Sequence, residues 1–437
     1  MALLTALKTG QSASTLGKAV RSQFPILSQK IDDRHPLIYL DNAATTQKPK
    51  VVIDAVTTFY EGSNANVNRG MHVLAERATD IYENARKRTQ KFLNAKKPHE
   101  VIFTKGTTEG VNLISRSWGE ANLKKGDVVL VSMLEHHSNI VPWLQLKEKL
   151  GIELQWIGIE ANGTLKMDEA EAHLKAGNVK LLALTCVSNS LGVITPYKKL
   201  TKLAHEHGAL VILDAAQLAA HAPIDVTDID CDFLVFSPHK VYGTTGIGVL
   251  YGKEELLKKM PPFLGGGGMI QEVFTDHYTP AELPDKFEAG TPPIAEACAL
   301  DVALEWFTNL GWKNVQEHEK DLITYALKKL DEISFVEVLG PKDPAKITGC
   351  ISFLCHAEPG RSTTQKASQK MIHPHDLTEY IGKYGVCLRA GHHCTQPLHD
   401  ALGHPATSRL SLAVYNTKEE IDRLCEAIKE ANAFFTK

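Results

Sequence analysis

The sequence predicts an α/β fold, with a large domain on a mostly parallel sheet followed by a smaller α+β domain. Three observations carry this. Short β-branched runs apolar on both faces recur between about residues 36 and 255, and amphipathic segments separate them. From about residue 310 the texture changes to longer helical patterns around a few short strands. Runs apolar on both faces belong in a parallel sheet covered on both sides, and alternation with helices is the mark of a doubly wound domain.

Taken in order, the runs are Val101-Ile102-Phe103-Thr104, Val128-Val129-Leu130-Val131-Ser132, Leu181-Leu182-Ala183-Leu184-Thr185, Leu210-Val211-Ile212-Leu213 and Phe233-Leu234-Val235-Phe236. An intervening segment such as Thr195 to Gly208 has helical periodicity and stops at glycine, a usual helix end. In the C-terminal part, helices are expected over Gln316 to Ile333, Pro374 to Tyr384 and Lys418 to Ala433, with strands over Thr348 to Cys355 and Arg409 to Val414. The stretch 358–370 is polar and aperiodic and reads as an exposed loop. The expected division is an N-terminal arm over 1–35 packing with the small domain, a large cofactor-binding domain over 36–305, and a small domain over 306–437 that carries a reactive cysteine loop.

Composition excludes more than it names. The 437 residues are 43% hydrophobic and 23% charged, with 48 Lys+Arg against 51 Asp+Glu. That balance leaves no electrostatic footprint for nucleic acid or an anionic membrane. No stretch approaches the ~20 apolar residues of a membrane span, so a soluble, cytoplasmic protein is expected. The N-terminal segment before Asp32 holds no acid and carries Lys8, Lys18, Arg21 and Lys30, which leaves import into an organelle as the alternative. Eight irregularly spaced cysteines (Cys186, Cys231, Cys298, Cys350, Cys355, Cys387, Cys394, Cys425) match neither a disulfide framework nor a zinc ribbon.

The chemistry-bearing residues lie just after the apolar runs. Asp214 closes one of them and Lys240 follows another, so both would point into the crevice at the carboxyl ends of the strands. An acid and a lysine so placed suit pyridoxal phosphate, which needs an amine for a Schiff base and a carboxylate for its ring nitrogen. Alone, the pair reads more readily as a helix N-cap and a surface lysine. Gly106-Thr107-Thr108-Glu109-Gly110 follows a strand and opens a helix, as in a phosphate site or a simple capping box. In Glu135-His136-His137-Ser138-Asn139, His136 could lie over a planar ring. Ser237 and His239 flank Lys240 closely enough to add phosphate contacts.

Together these residues resemble the fold-type-I pyridoxal phosphate enzymes, a class whose large domain has a seven-stranded type of sheet, and within them the SufS-type (group II) cysteine desulfurases of the class-V aminotransferase family. The resemblance runs through Tyr39-Leu40-Asp41-Asn42-Ala43-Ala44-Thr45-Thr46, Phe287-Glu288-Ala289-Gly290-Thr291-Pro292 and Arg389-Ala390-Gly391-His392-His393-Cys394. It implies that Lys240 carries the cofactor, Asp214 pairs with its pyridinium, Gln217 bonds its phenolic oxygen and His136 stacks on its ring. Thr107, Thr108, Ser237 and His239 would bind the phosphate, and Thr291 would reach it from the partner subunit of a homodimer. Asn189, also counted among the cofactor-binding residues, and Arg409 would hold the carboxylate of L-cysteine, and Arg389, counted with them as substrate-binding, would brace the cysteine loop. Lys240 would then move the α-proton, His136 would serve proton transfers, and Cys394 would take the sulfur as a persulfide, leaving L-alanine. A SufE- or SufU-type acceptor would receive that sulfur for iron-sulfur cluster assembly.

Cys394 has polar, flexible flanks, unlike Cys186 or Cys231 beside their apolar runs, and exposure favours a reactive thiolate. A metal site built from His373, His375, His392, His393 and Cys394 is disfavoured, because adjacent histidines rarely reach one ion and no second cysteine has zinc-like spacing. The chain departs from the family's usual pattern at Asn68, where many relatives have His, and at Pro238 and Thr244. Those positions bear on rate and pH optimum rather than on the chemistry. A selenocysteine lyase shares the scaffold and is the rival activity, and a non-catalytic assembly scaffold is the rival of another class. A nucleotide-binding loop is excluded, since Gly265-Gly266-Gly267-Gly268 is followed by Met269-Ile270 and lacks the required Lys and Ser/Thr.

Overall fold

A computed structural model describes residues 16–68, 70–356 and 371–436. The polar loop at 358–370 and the first fifteen residues of the expected arm lie outside the described residues.

A short β1 (Ile38–Tyr39) precedes the seven strands of the principal sheet: β2 (Val101–Thr104), β3 (Val128–Ser132), β4 (Glu153–Ile157), β5 (Val179–Thr185), β6 (Leu210–Asp214), β7 (Phe233–Phe236) and β8 (Gly248–Gly252). Their order is β2-β8-β7-β6-β5-β3-β4. The pairs β3 with β4, β3 with β5, β5 with β6 and β6 with β7 are parallel, while β8 runs antiparallel to both β7 and β2. Five of these strands coincide with the apolar runs of the sequence. The other two went unnamed for physical reasons: β4 is an edge strand and, unlike the buried β2 at the other edge, is largely half exposed, and β8 opens and closes on glycine, a weak strand former.

Both faces of the sheet are buried, as the unbroken apolar runs require. Leu182, Leu184, Val211, Leu213, Leu234 and Phe236 join the core on one side, and their neighbours Leu181, Ala183, Ile212, Phe233 and Val235 join the core on the other. This is the period-two alternation of a strand with apolar residues in both phases. Burying each such side chain contributes roughly 1.5–3 kcal/mol, which makes the sheet a rigid base for groups at its ends. The long helices Val73–Leu93 and Ile294–Asn309 pack against each other.

A hairpin of β9 (Ile270–Val273) and β10 (Tyr278–Pro280) follows. The C-terminal part holds β11 (Val336–Leu339), β12 (Cys350–His356), β13 (Met371–Ile372), β14 (Val386–Cys387), β15 (Arg389–Gly391) and β16 (Thr407–Ser411). There β11, β12, β16 and β15 form an antiparallel sheet, and helices Trp312–Asp331 and Lys418–Phe435 pack together beside it. Each expected element exists, with ends displaced by a few residues: the helix read as starting at Gln316 starts at Trp312, and the strand read from Arg409 begins at Thr407.

Within the N-terminal segment, the helix Leu16–Arg21 buries Leu16 and Val20. Arg21 bonds Glu420 at 2.6 Å and the Leu37 carbonyl at 3.2 Å. The Phe24 ring lies against Trp306, Tyr242 and Tyr415. In parallel, β1 pairs with β14, which ties the start of the chain to the segment leading into the cysteine loop.

Candidate active site

The carboxyl ends of the parallel strands define one wall of a cavity of about 310 Å³. Asp214 is the last residue of β6, Thr185 the last of β5, and Ser237 and Lys240 follow β7 directly. From the C-terminal sheet, Arg389 on β15 and Arg409 on β16 close the opposite side, joined by His393 and Cys394. Thr107, Thr108, His136, Asn189, Asp214, Gln217, Ser237, His239, Lys240, Arg389, Cys394 and Arg409 all line this one cavity. Thr291 does not. It lies in a neighbouring cavity with Asn66, Asn68, Gly267, Gly268 and Glu288.

At one end of the cavity the helix Thr107–Leu113 begins, pressed close to the sheet. A Cβ on Gly110 would sit 2.7 Å from Val235 Cγ1, and one on Gly248 would sit 2.3 Å from the Gly106 backbone. Only glycine permits that approach. It brings Ser237 Oγ within 2.8 Å of both the Thr107 N–H and the Thr107 hydroxyl. Two hydroxyls at a helix N-terminus are a donor set that could hold a phosphate.

Along the sheet edge, Asp214 is 4% exposed and its Oδ1 accepts the Ala216 N–H at 2.8 Å. Burial raises its pKa, opposed by that hydrogen bond and by Lys240. Lys240 is shifted the other way: burial lowers its pKa, with Asp214 opposing. Both shifts have the same first cause, the low dielectric around them, which favours the uncharged forms. Among the described residues the Lys240 amine makes no hydrogen bond, so it is free to form a covalent imine. Gln217 Nε2 donates to the Ala43 carbonyl at 2.9 Å.

His136 caps the short turn His137–Asn139, its Nδ1 accepting the Ser138 N–H at 3.0 Å. An Nδ1 that accepts leaves the ring proton on Nε2. Burial, then the charges of Lys240, His137 and Arg409, brings its pKa down to about 3. The imidazole is therefore neutral at physiological pH. His239 is likewise lowered to about 4 by burial, then by Lys240 and Lys48.

The arginine-lined side of the cavity turns on a residue to which sequence reasoning gave no role. Asp41 accepts Arg409 at 3.0 Å through Oδ1 and two nitrogens of Arg389, at 2.8 and 3.1 Å, through Oδ2. Arg409 also donates to the Asn189 carbonyl at 2.7 Å, and its buried Nε has no partner. Arg389, expected to brace the cysteine loop, has its guanidinium on Asp41. The loop is also held by Asn189, whose Nδ2 donates to the His393 carbonyl at 2.7 Å. His393 and His392 diverge: His393 Nε2 lies 2.8 Å from the Thr407 hydroxyl, while the His392 ring lies 5.4 Å from that of His137. The described residues hold no group of three or more potential ligands placed for a metal ion.

Two further residues went unassigned in the sequence. Glu135, fully buried, accepts the Thr185 N–H at 2.9 Å and Asn139 Nδ2 at 2.7 Å, and holds Ser132 Oγ at 2.5 Å. It thus ties the ends of β3 and β5 to the turn carrying His136. Burial pushes its pKa up to about 8, against the three hydrogen bonds. Lys48 donates to the carbonyl of His239 at 2.8 Å and so steadies the residue preceding Lys240, and burial lowers its pKa to about 7. Glu135 was only a charged residue within a motif and Lys48 only a lysine just past one, since their partners are set by the fold.

Cys394 is the one exposed cysteine; five others are buried and two are partly so. Its left-handed φ of 56°, following His393 at 53°, turns the loop sharply at the cavity mouth.

The model of the class-V aminotransferases matches residues 38–424. A probable cysteine desulfurase of Synechocystis is 43% identical over 422 residues, covering 97% of each chain. A cysteine desulfurase of Escherichia coli O8 is 43% identical, covering 94% of this chain and 97% of its own. The apo structure of the Thermococcus onnurineus cysteine desulfurase superposes with a TM-score of 0.86 at 36% identity, covering 94% of this chain and 97% of the other.

Proposed function

Because the chain belongs to the class-V aminotransferase family, we propose that it is a pyridoxal-phosphate-dependent cysteine desulfurase that converts L-cysteine to L-alanine and receives the sulfur on Cys394. The observation that carries this reading is an exposed thiol, Cys394, lining the same cavity as the buried Lys240 and Asp214. A lyase acting without its own sulfur acceptor has no need of a thiol there.

The cavity fits the cofactor. The unpartnered Lys240 amine would offer the imine nitrogen, Asp214 would pair with the ring nitrogen, Gln217 with a ring oxygen and His136 with the ring, while Thr107, Thr108, Ser237 and His239 would take the phosphate. When bound, pyridoxal phosphate supplies an electron sink for the substrate's α-carbon. Asn189 and Arg409 orient the substrate carboxylate, for which a guanidinium fork is well shaped. Lys240, whose uncharged form burial favours, takes the α-proton. Cys394 Sγ, as the thiolate, attacks the substrate sulfur: the S–S bond forms as the Cβ–S bond breaks, the electron pair left on carbon is protonated to the methyl group, and Lys240 returns a proton to the α-carbon to give alanine. His136, neutral with its proton on Nε2, is the nearby group for such transfers. The persulfide sulfur is then open to an acceptor protein of the SufE or SufU type, in support of iron-sulfur cluster assembly in the cytoplasm.

Thr291, lying outside the Lys240 cavity of its own chain, is assigned to the phosphate of a partner subunit in a homodimer.

The test is spectroscopic. The purified protein should take up pyridoxal phosphate with a visible band that Lys240→Ala abolishes. Cys394→Ala should keep the band and cysteine binding but lose persulfide formation. A protein that stays colourless with added cofactor, or a Cys394→Ala variant with normal sulfur transfer, refutes the assignment.

A further inference from the structure

Two consecutive non-glycine residues, His393 and Cys394, sit at positive φ, at 53° and 56°. A non-glycine side chain is strained in that region, so other bonds must hold the turn. Cys394 is itself exposed, and hydrogen bonds to the flanking backbone do this work. Cys394 N–H donates to His392 Nδ1 at 3.2 Å, and the His393 carbonyl accepts from Asn189. The Thr395 N–H and hydroxyl both donate to the His392 carbonyl at 2.8 Å, and two further bonds involve one residue from a distant element. The His137 N–H donates to the Cys394 carbonyl at 2.8 Å, and His137 Nε2 accepts the Gln396 N–H at 3.0 Å.

His137 thus brackets the cysteine, bonding the chain at residue 394 and again at 396. It follows His136 directly in the turn that Glu135 anchors to β3 and β5. That turn therefore carries the ring-facing imidazole and the clamp on the thiol loop side by side. We infer that His137 is a positioning residue for sulfur transfer, clamping the Cys394 loop so that the thiol is presented in fixed register to a substrate beside His136. The inference rests on the reading of Cys394 as the sulfur acceptor. An Nε2 that accepts must be unprotonated, and burial together with the neighbouring His392 lowers the His137 pKa and favours that form. The backbone bond survives substitution at 137 by any residue but proline, so changing the side chain isolates the bond to Gln396.

The experiment uses the cofactor-loaded enzyme with His137→Leu, which keeps the bulk and removes the acceptor, and His137→Gln, whose amide oxygen can reach the same N–H. In His137→Leu, single-turnover persulfide formation should slow about tenfold, the effect of one hydrogen bond holding a strained turn. The KM for cysteine and the visible band should stay within about twofold, and the rate of Cys394 alkylation by iodoacetamide, read by mass spectrometry, should change by about threefold or more. His137→Gln should restore both rates. Unchanged persulfide and alkylation rates in His137→Leu, failure of His137→Gln to restore them, or loss of the visible band alongside them would each overturn the inference. Should Cys394→Ala retain sulfur transfer, the functional reading fails, while the alkylation rates still decide whether His137 clamps the loop.

Discussion

Replacing Arg409 with lysine keeps the charge and removes the fork, which separates electrostatic attraction from geometry at the proposed carboxylate site. Arg409 is 3% exposed, and its guanidinium is held at two points, by the Asn189 carbonyl at 2.7 Å and by Asp41 at 3.0 Å, with Nε left over. A single ammonium cannot span both anchors and still present a second donor to a ligand. The loss is one charge-assisted hydrogen bond to the substrate carboxylate, about 1.5–3 kcal/mol, or roughly a 10- to 150-fold rise in KM for cysteine. The cofactor's visible band should be unchanged, because Lys240 and Asp214 are untouched. Steady-state alanine release read beside the absorbance spectrum measures both. Asp41→Asn should raise KM in the same direction by freeing both arginines, and the double variant should lose little more than the worse single one, since the two substitutions disable one unit. A KM within twofold of the parent for Arg409→Lys, or strict additivity with Asp41→Asn, would refute this account of the site.

Ser237→Ala should weaken pyridoxal phosphate binding by about 10- to 150-fold, one hydrogen bond to a charged group, in a spectral titration of the apoenzyme, because Ser237 Oγ lies 2.8 Å from the Thr107 N–H at the cradle. The pH dependence of stability follows from His136, whose pKa is brought down to about 3 in the folded chain against about 6.5 unfolded. Between those values the unfolded chain binds a proton that the folded one does not, so stability is full above about pH 6.5 and falls as the pH drops toward 3. From pH 7 to 5 the loss for this residue is on the order of 1–2 kcal/mol, and His136→Asn should remove that part of the slope in urea denaturation midpoints. Equal slopes for parent and variant would show that the imidazole is not held neutral. Glu135→Leu should lower both the denaturation midpoint and the rate of alanine formation, as it leaves the Thr185 N–H and Asn139 amide without their acceptor inside the core, at about 1–3 kcal/mol each. An unaltered midpoint would mean that the strand ends are held without it.

What the sequence determined on its own was whatever has a local cause. An unbroken apolar run states that both faces of a strand are buried, and the first polar residue after it states where the crevice opens. Asp214, Lys240, Ser237 and the Gly106-Thr107-Thr108 turn were legible for that reason. Cys394 was legible from its polar flanks. Tertiary structure decided whatever depends on distance between remote residues. Asp41 meets Arg389 across 348 positions and Arg409 across 368, and nothing in the intervening chain encodes that meeting. The same holds for His137, whose bond to Gln396 spans 259 positions, and for Glu135, which looks like a surface acid until β3 and β5 close over it. Protonation states belong to this second group, because they follow from burial and neighbouring charge. A histidine titrating near neutrality in the open chain is held neutral down to about pH 3 at position 136 by the cavity wall around it.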